Sequence, residues 1–138
     1  MRLGIAEILK LVNQAPSREE KIEILKINDS AVLKTILKYA LDPKIEWELP
    51  KGKVPYEPNP YVDQQGNLYT EARRLYLFVK GGHPTLKQMK REILFIQFLE
   101  GLDAEDAKVI VAAKDKKLPV KGLTVKLVNK AFPGLIEE

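Results

Sequence analysis

Six lysines and a single acid occupy the stretch from Lys114 to Lys130. Ammonium groups at this density are typical of a surface that faces the phosphates of a nucleic acid. A solvated surface that happens to be rich in lysine is the alternative, and charge alone leaves both open. The six are Lys114, Lys116, Lys117, Lys121, Lys126 and Lys130.

Two glycine-containing turns lead into predicted helices that carry lysine near their first turns. Glycine permits a tight turn, and the free backbone N–H groups at the start of a helix can bind a phosphate. This arrangement predicts binding of nucleic acid through its backbone. The candidate residues are Gly81, Gly82, Thr85 and Lys87 at the first turn, and Gly122 and Thr124 at the second, beside Lys121, Lys126 and Lys130.

The sequence lacks residues and motifs that common enzyme mechanisms use, and this argues against an enzyme. There is no cysteine, and the one histidine, His83, lies between Gly82 and Pro84, where a turn role is the simpler interpretation. No Walker loop or Gly-x-Gly-x-x-Gly motif provides a nucleotide cradle. We therefore expect no catalytic residue, no metal and no cofactor. An enzyme with an unfamiliar site is the remaining alternative.

Length and charge indicate one globular domain. The chain has 138 residues, of which 45% are apolar and 30% charged, and its net charge is +4. All of the excess charge lies in residues 71–138, with 13 Lys and Arg against 9 Asp and Glu. No apolar run is long enough to cross a membrane, and the N-terminus is unlike a signal peptide. We expect a cytoplasmic protein without a membrane partner.

Helical periodicity dominates and predicts an all-α, single-domain bundle of about six to seven helices over residues 1–138. Capping patterns predict helix starts at Ser17, at Asp29 or Ser30, at Thr70, at Thr85, at Asp103 and at Thr124. The fifth helix, after Thr85, is apolar nearly all round through Ile93, Leu94, Ile96, Phe98 and Leu99. It is therefore the expected centre of the bundle.

Residues 42–69 change in character and predict a long Pro-rich crossing loop after the third helix. Its segment Ile45 to Leu49 alternates as a short strand or an extended strip would. Its aromatic residues are candidates for base stacking, although packing of the loop against the core is the favoured interpretation. They are Trp47, Tyr56, Tyr61 and Tyr69.

The C-terminal stretch carries a more specific pattern. Gly122-Leu123-Thr124-Val125 followed by Val128-Asn129-Lys130-Ala131-Phe132-Pro133-Gly134-Leu135-Ile136 resembles the end of the N-terminal DNA-binding domain of bacteriophage-type ATP-dependent DNA ligases. The acidic helix start at residues 102–108 and the opening helices up to Pro43 are similar as well. Phe132 replaces the family's usual Trp, and Gly82-His83-Pro84-Thr85 replaces a Thr-Gly-Asn helix start.

This resemblance implies a helical module that binds duplex DNA, nicked or intact, through sugar-phosphate contacts across the minor groove. The family's adenylated lysine lies in a Lys-x-Asp-Gly motif, which Lys114-Asp115-Lys116-Lys117 does not reproduce. We therefore expect a stand-alone, non-catalytic accessory of phage replication or repair, in the host cytoplasm if the protein is phage-encoded. The alternative is a protein-interaction module on a ligase-like scaffold, which would bind replication, repair, transcription or host proteins through the segment Lys53 to Tyr61.

Overall fold

The computed structural model of the protein describes residues 3–58 and 67–137. In these ranges it is all-helical, with isolated β-bridge contacts and no sheet. The helices are α1 (Ile5–Gln14), α2 (Arg18–Ile27), α3 (Ala31–Leu41), α4 (Leu68–Glu71), a 3₁₀ helix (Ala72–Phe78), α5 (Gln88–Glu100), α6 (Ala104–Lys114) and α7 (Val125–Ala131). The predicted all-α bundle is confirmed.

Local capping explains where most helices begin. Ser17, Ser30, Asp103 and Thr124 each accept a hydrogen bond from a backbone N–H group in the first turn of α2, α3, α6 and α7. Such side-chain acceptors satisfy donors that have no partner within the helix. The four predicted starts are therefore confirmed at these residues.

Two predicted starts are wrong. Asn67, not Thr70, caps α4 by accepting from the Tyr69 N–H group at 2.8 Å. The Thr85 capping box does not form, because α5 begins at Gln88 after Lys87. The guanidinium group of Arg91, which is buried, instead donates to the carbonyl oxygens of Leu77 and His83. These two hydrogen bonds hold the turn that precedes α5, which is not part of the helix.

The centre of the bundle is α6. This helix packs against α1, α3 and α5, while α2 packs between α1 and α7. The predicted central position of α5 is wrong, because Ile93 is 43% exposed and Met89 is 77% exposed. The buried side of α5 instead contributes Phe95, Phe98 and Leu99, and both phenylalanines pack edge-on against Phe78.

The described part of the crossing loop, residues 42–58, lies against this core. Trp47 makes an antiparallel bridge with Val79, and its indole N–H group donates to the Tyr39 carbonyl oxygen at 3.0 Å. Its ring packs edge-on against Tyr39 and Phe95. Tyr56 packs against the core, and the Tyr69 hydroxyl donates to the Leu3 carbonyl oxygen. Packing is thus confirmed for these aromatic residues, and Tyr61 lies outside the described ranges.

A tertiary hydrogen bond replaces the missing cap of α1. Gly4, at the N-cap, has no side chain to accept, and the Asp106 carboxylate of α6 accepts from the Ala6 N–H group at 3.1 Å. Desolvation raises the pKa of Asp106, the Ala6 bond lowers it, and the nearby charges of Asp103, Glu7 and Glu105 raise it, so that it stands above its ordinary value. One carboxylate therefore links the starts of α1 and α6.

We predict that Asp106→Ala lowers the free energy of unfolding by about 1 to 2 kcal/mol, because the Ala6 N–H group loses its acceptor. Asp106→Asn keeps an acceptor and removes the charge. Because the folded-state pKa lies above the unfolded value of 3.8, the carboxyl group's contribution to stability is full below that value. It is lost as pH rises through the folded-state pKa.

Urea denaturation between pH 3.5 and 7 should therefore show Asp106→Asn gaining stability relative to the wild type as pH rises. A difference that is constant across this range would contradict the shifted ionisation of Asp106.

Candidate nucleic-acid interface

The structure divides the predicted lysine stretch into two groups. Lys117, Lys121, Lys126 and Lys130 are exposed, and none of the four takes part in an ion pair within the described ranges. We call these four residues, with Gly122 and Thr124, the α6–α7 basic surface. Lys114 and Lys116 do not belong to it, for two different structural reasons.

Lys114 is only 3% exposed. Its ammonium group donates to the carbonyl oxygens of Pro50 and Gly52, at 2.7 and 3.2 Å, and to the Asp115 carboxylate at 2.7 Å. Three acceptors fill the three donor positions of an ammonium group. The prediction that Lys114 neutralises a phosphate is therefore wrong, because the side chain holds the 50–52 loop against α6.

Asp115 completes this contact. Its carboxylate also accepts from the Gly52 N–H group at 3.1 Å. Desolvation raises the pKa of Asp115, but the hydrogen bonds from Lys114 and Gly52 and the charges of Lys114 and Lys117 outweigh it, so the pKa lies below its ordinary value. The acid that interrupts the lysine stretch is therefore ionised at neutral pH and already paired.

Lys116 joins the ends of two helices. Its backbone adopts the left-handed conformation, with φ at 60°, and the N–H groups of Lys116 and Lys117 donate to Ala113 and Ala112, as in a Schellman ending. Its ammonium group donates to the Tyr39 and Asp42 carbonyl oxygens at the end of α3, both at 2.8 Å. Desolvation lowers the pKa of Lys116, although Asp42 opposes this shift. Lys116 therefore has a structural role, and its predicted phosphate contact stays a prediction.

The second glycine turn is built on the end of α1. The Lys121 N–H group donates to the Asn13 side chain at 2.9 Å, and Gly122 has φ at 74°. The Lys21 side chain lies beneath this turn, and its ammonium group donates to the Val12 carbonyl oxygen at 2.7 Å. These contacts fix the segment that presents Lys121 and leads into α7. The sequence pattern gave no sign of Asn13 or Lys21.

On α7, Lys126 and Lys130 lie one turn apart on the exposed side, while Leu127, Val128 and Ala131 face the core. A spacing of four residues separates them by about 6 Å along the helix axis. Each strand of duplex DNA presents a phosphate about every 3.4 Å of its axis. The two ammonium groups can therefore contact phosphates along one strand.

The first glycine turn has a steric explanation. A Cβ atom on Gly82 would lie 1.8 Å from the Tyr76 carbonyl oxygen, and Gly81 has φ at 86°. Both positions therefore require glycine whether or not a ligand binds. Lys87 is exposed, and the Thr85 hydroxyl group lies 3.5 Å from His83 Nδ1.

The two turns rest on different parts of the fold. The hydrogen bonds around the first come from Glu46, Val79 and Arg91, whereas the second is held by Asn13 and Lys21. No hydrogen bond or ion pair of the described residues connects them. The phosphate contact predicted for Gly81, Gly82, Thr85 and Lys87 therefore stays a separate prediction.

The C-terminal motif, residues 122–136, makes specific contacts within the chain. The Asn129 side-chain amide donates to the Ile136 carbonyl oxygen and accepts from the Ile136 N–H group, at 2.8 and 2.9 Å. Phe132 is buried under the Lys34 ammonium group, which lies 5.7 Å from the ring centroid. These residues position the chain end against α7.

Two further lysines lie near this surface in space. Lys108 of α6 and Lys53 of the crossing loop line one cavity with Lys117. They lie outside the stretch from Lys114 to Lys130, so counting charges within that stretch missed them. Within the described ranges, no group of three or more His, Cys, Asp or Glu side chains is placed to hold a metal ion.

The described residues form an all-α bundle that carries the α6–α7 basic surface. Residues 8–120 match the model of a family of unknown function, DUF6433, and the chain belongs to that family. The match extends from α1 to the end of the 118–120 turn, so α7 and the ligase-like motif lie beyond it. No curated protein matches the chain. None of the described helices combines the length and apolarity needed to cross a bilayer.

We predict that Lys116→Met lowers the free energy of unfolding by about 1 to 3 kcal/mol, because the Tyr39 and Asp42 carbonyl oxygens each lose one of their two donors. The matched control is Lys117→Met, one residue away and exposed, which should change stability by less than about 0.5 kcal/mol. Guanidinium denaturation of the two variants beside the wild type measures both. Equal effects would contradict the structural assignment of Lys116.

Proposed function

We propose that the protein is a non-catalytic duplex-DNA-binding protein that serves as an accessory of phage replication or repair. One observation carries this proposal: four lysines on the continuous segment from the end of α6 through α7 are exposed without an ion pair among the described residues. Exposed cations without acid partners attract a polyanion and release its condensed counterions on binding. The resemblance to ligase DNA-binding domains supports duplex DNA as that polyanion.

The residue types of the α6–α7 basic surface favour binding with little sequence preference. All of its charged side chains are lysine, a flexible point charge, and none is an arginine that would make a bidentate contact to guanine. Contacts to phosphate fix position on the duplex without reading bases. The proposal therefore assigns the surface to backbone recognition, with the Gly81–Thr85 turn and Lys87 as its proposed second contact.

We predict that affinity for a fluorescein-labelled duplex falls steeply with salt and that Lys117→Gln/Lys121→Gln reduces the slope of log K against log[salt] by about 1.8, or about 0.9 for each lost phosphate contact. Fluorescence anisotropy from 25 to 200 mM KCl, on intact and nicked duplexes of several sequences, makes this measurement. Binding that depends on sequence, or that salt does not weaken, would overturn the proposal.

The matched control for this charge change is Lys26→Gln/Arg73→Gln. Both residues are exposed, and they belong to α2 and to the 3₁₀ helix. This control should keep the wild-type slope within about 0.3, because long-range attraction alone is screened at these salt concentrations. An equal loss in both double variants would show an effect of net charge rather than of the α6–α7 basic surface.

A protein-interaction module is the second candidate, and an apolar pair on α5 favours it. Met89 and Ile93 are exposed and lie one turn apart on the same side of the helix. Burial of such side chains against a partner would be favourable. Absence of DNA binding by the wild type at 25 mM KCl would favour this candidate, whose partners would be replication, repair, transcription or host proteins.

A further inference from the structure

A cavity of about 530 Å³ lies between α6 and the described end of the crossing loop. This volume falls within the range of small-molecule sites, which is about 300 to 1,000 Å³. Apolar side chains from both elements form much of its lining, and lysines from three places in the sequence surround it. The lining residues used here are Val54, Tyr56, Val111, Lys53, Lys108 and Lys117.

The charged side chains that line this cavity are three lysines and one aspartate. Asp115 also lines it, but the Asp115 carboxylate is hydrogen-bonded to the buried Lys114 ammonium group, which offsets its charge. Lys108 has an exposed partner, Glu105, at 3.2 Å. Lys53 and Lys117 take part in no ion pair of the described residues. An anion is therefore the charge type that the cavity favours.

The lining favours a ligand with a flat apolar part beside that anion. Tyr56 is half-buried and offers an aromatic ring, and Val54 and Val111 supply aliphatic surface. Bases stack on aromatic side chains with little preference for their identity, and ammonium groups pair with phosphate. The combination is that of a nucleotide, with its base against Tyr56 and its phosphate among the lysines.

We propose that this cavity binds a nucleotide, presented as an unpaired residue at an end or gap of bound DNA. Lys117 lines the cavity and also belongs to the α6–α7 basic surface, so a duplex held on that surface lies next to the cavity. That the nucleotide belongs to bound DNA rests on the proposed function. A free nucleotide shares the same chemistry and is tested in a separate arm.

The first arm compares a blunt duplex with the same duplex carrying a phosphorylated overhang of about three unpaired nucleotides, by anisotropy at 50 mM KCl. The overhang should tighten binding about fivefold or more, the lower end of measured base–aromatic stacking. Tyr56→Ala should remove this gain and leave blunt-duplex affinity within about twofold. Tyr56→Phe should keep it.

The charge arm compares two lysines that lie close in sequence. Lys53→Gln should reduce the gain from the overhang about threefold or more, whereas Lys51→Gln, equally exposed and absent from the described lining, should retain it. Neither side chain makes a hydrogen bond or ion pair within the described ranges, so both variants should fold. Calorimetric titration with free AMP tests the cavity without DNA, and saturable binding that Lys53→Gln weakens is expected.

The outcomes separate the two proposals. Equal affinity for the blunt and overhanging duplexes, together with no AMP binding, overturns the nucleotide site and leaves duplex binding intact. Failure to bind any duplex at low salt overturns the proposed function. The AMP titration alone then tests whether the cavity binds a nucleotide. A gain from the overhang that survives both Tyr56→Ala and Lys53→Gln also overturns the inference, because another site must then produce it.

Discussion

The bundle depends most on Lys116, through both its backbone conformation and the hydrogen bonds of its ammonium group. Its left-handed conformation ends α6, and its side chain donates to the last carbonyl oxygens of α3. A non-glycine residue in that conformation costs about 1 kcal/mol or more, which the two hydrogen bonds can offset. Because α6 also contacts α1 and α5, fixing α3 against α6 fixes the frame for the other helices.

Charged side chains from outside a helix repeatedly satisfy its end groups in this protein. Lys21 donates to a carbonyl oxygen at the end of α1, and Asp106 accepts from an N–H group at the start of the same helix. Arg91 donates to a carbonyl oxygen near the end of the 3₁₀ helix. An isolated helix leaves these groups to water, but a small bundle buries several of them. The charged residues of the chain thus divide into some that hold the fold and others that remain exposed for a partner.

This division explains what the sequence predicts and what it misses. Caps at Ser17 and Asp103 depend on neighbours within three residues, so local patterns find them. The burial of Lys114 depends on a loop some sixty residues earlier, and no local pattern contains it. Thr85 fails as a cap because Arg91 organises the preceding turn. Exposed Lys117 and Lys121 satisfy the same compositional pattern as Lys114, so only the fold separates them.

The shielding of Lys114 has a chemical consequence. Acylating reagents and acetyltransferases react with an accessible, unprotonated amine, and the Lys114 amine is enclosed by three hydrogen-bond acceptors. Lys121, Lys126 and Lys130 are open to such reagents. Covalent neutralisation would thus remove the positive charge of the exposed surface while the buried amine kept its position. Charge and fold in this protein can therefore be altered separately, by modification as well as by substitution.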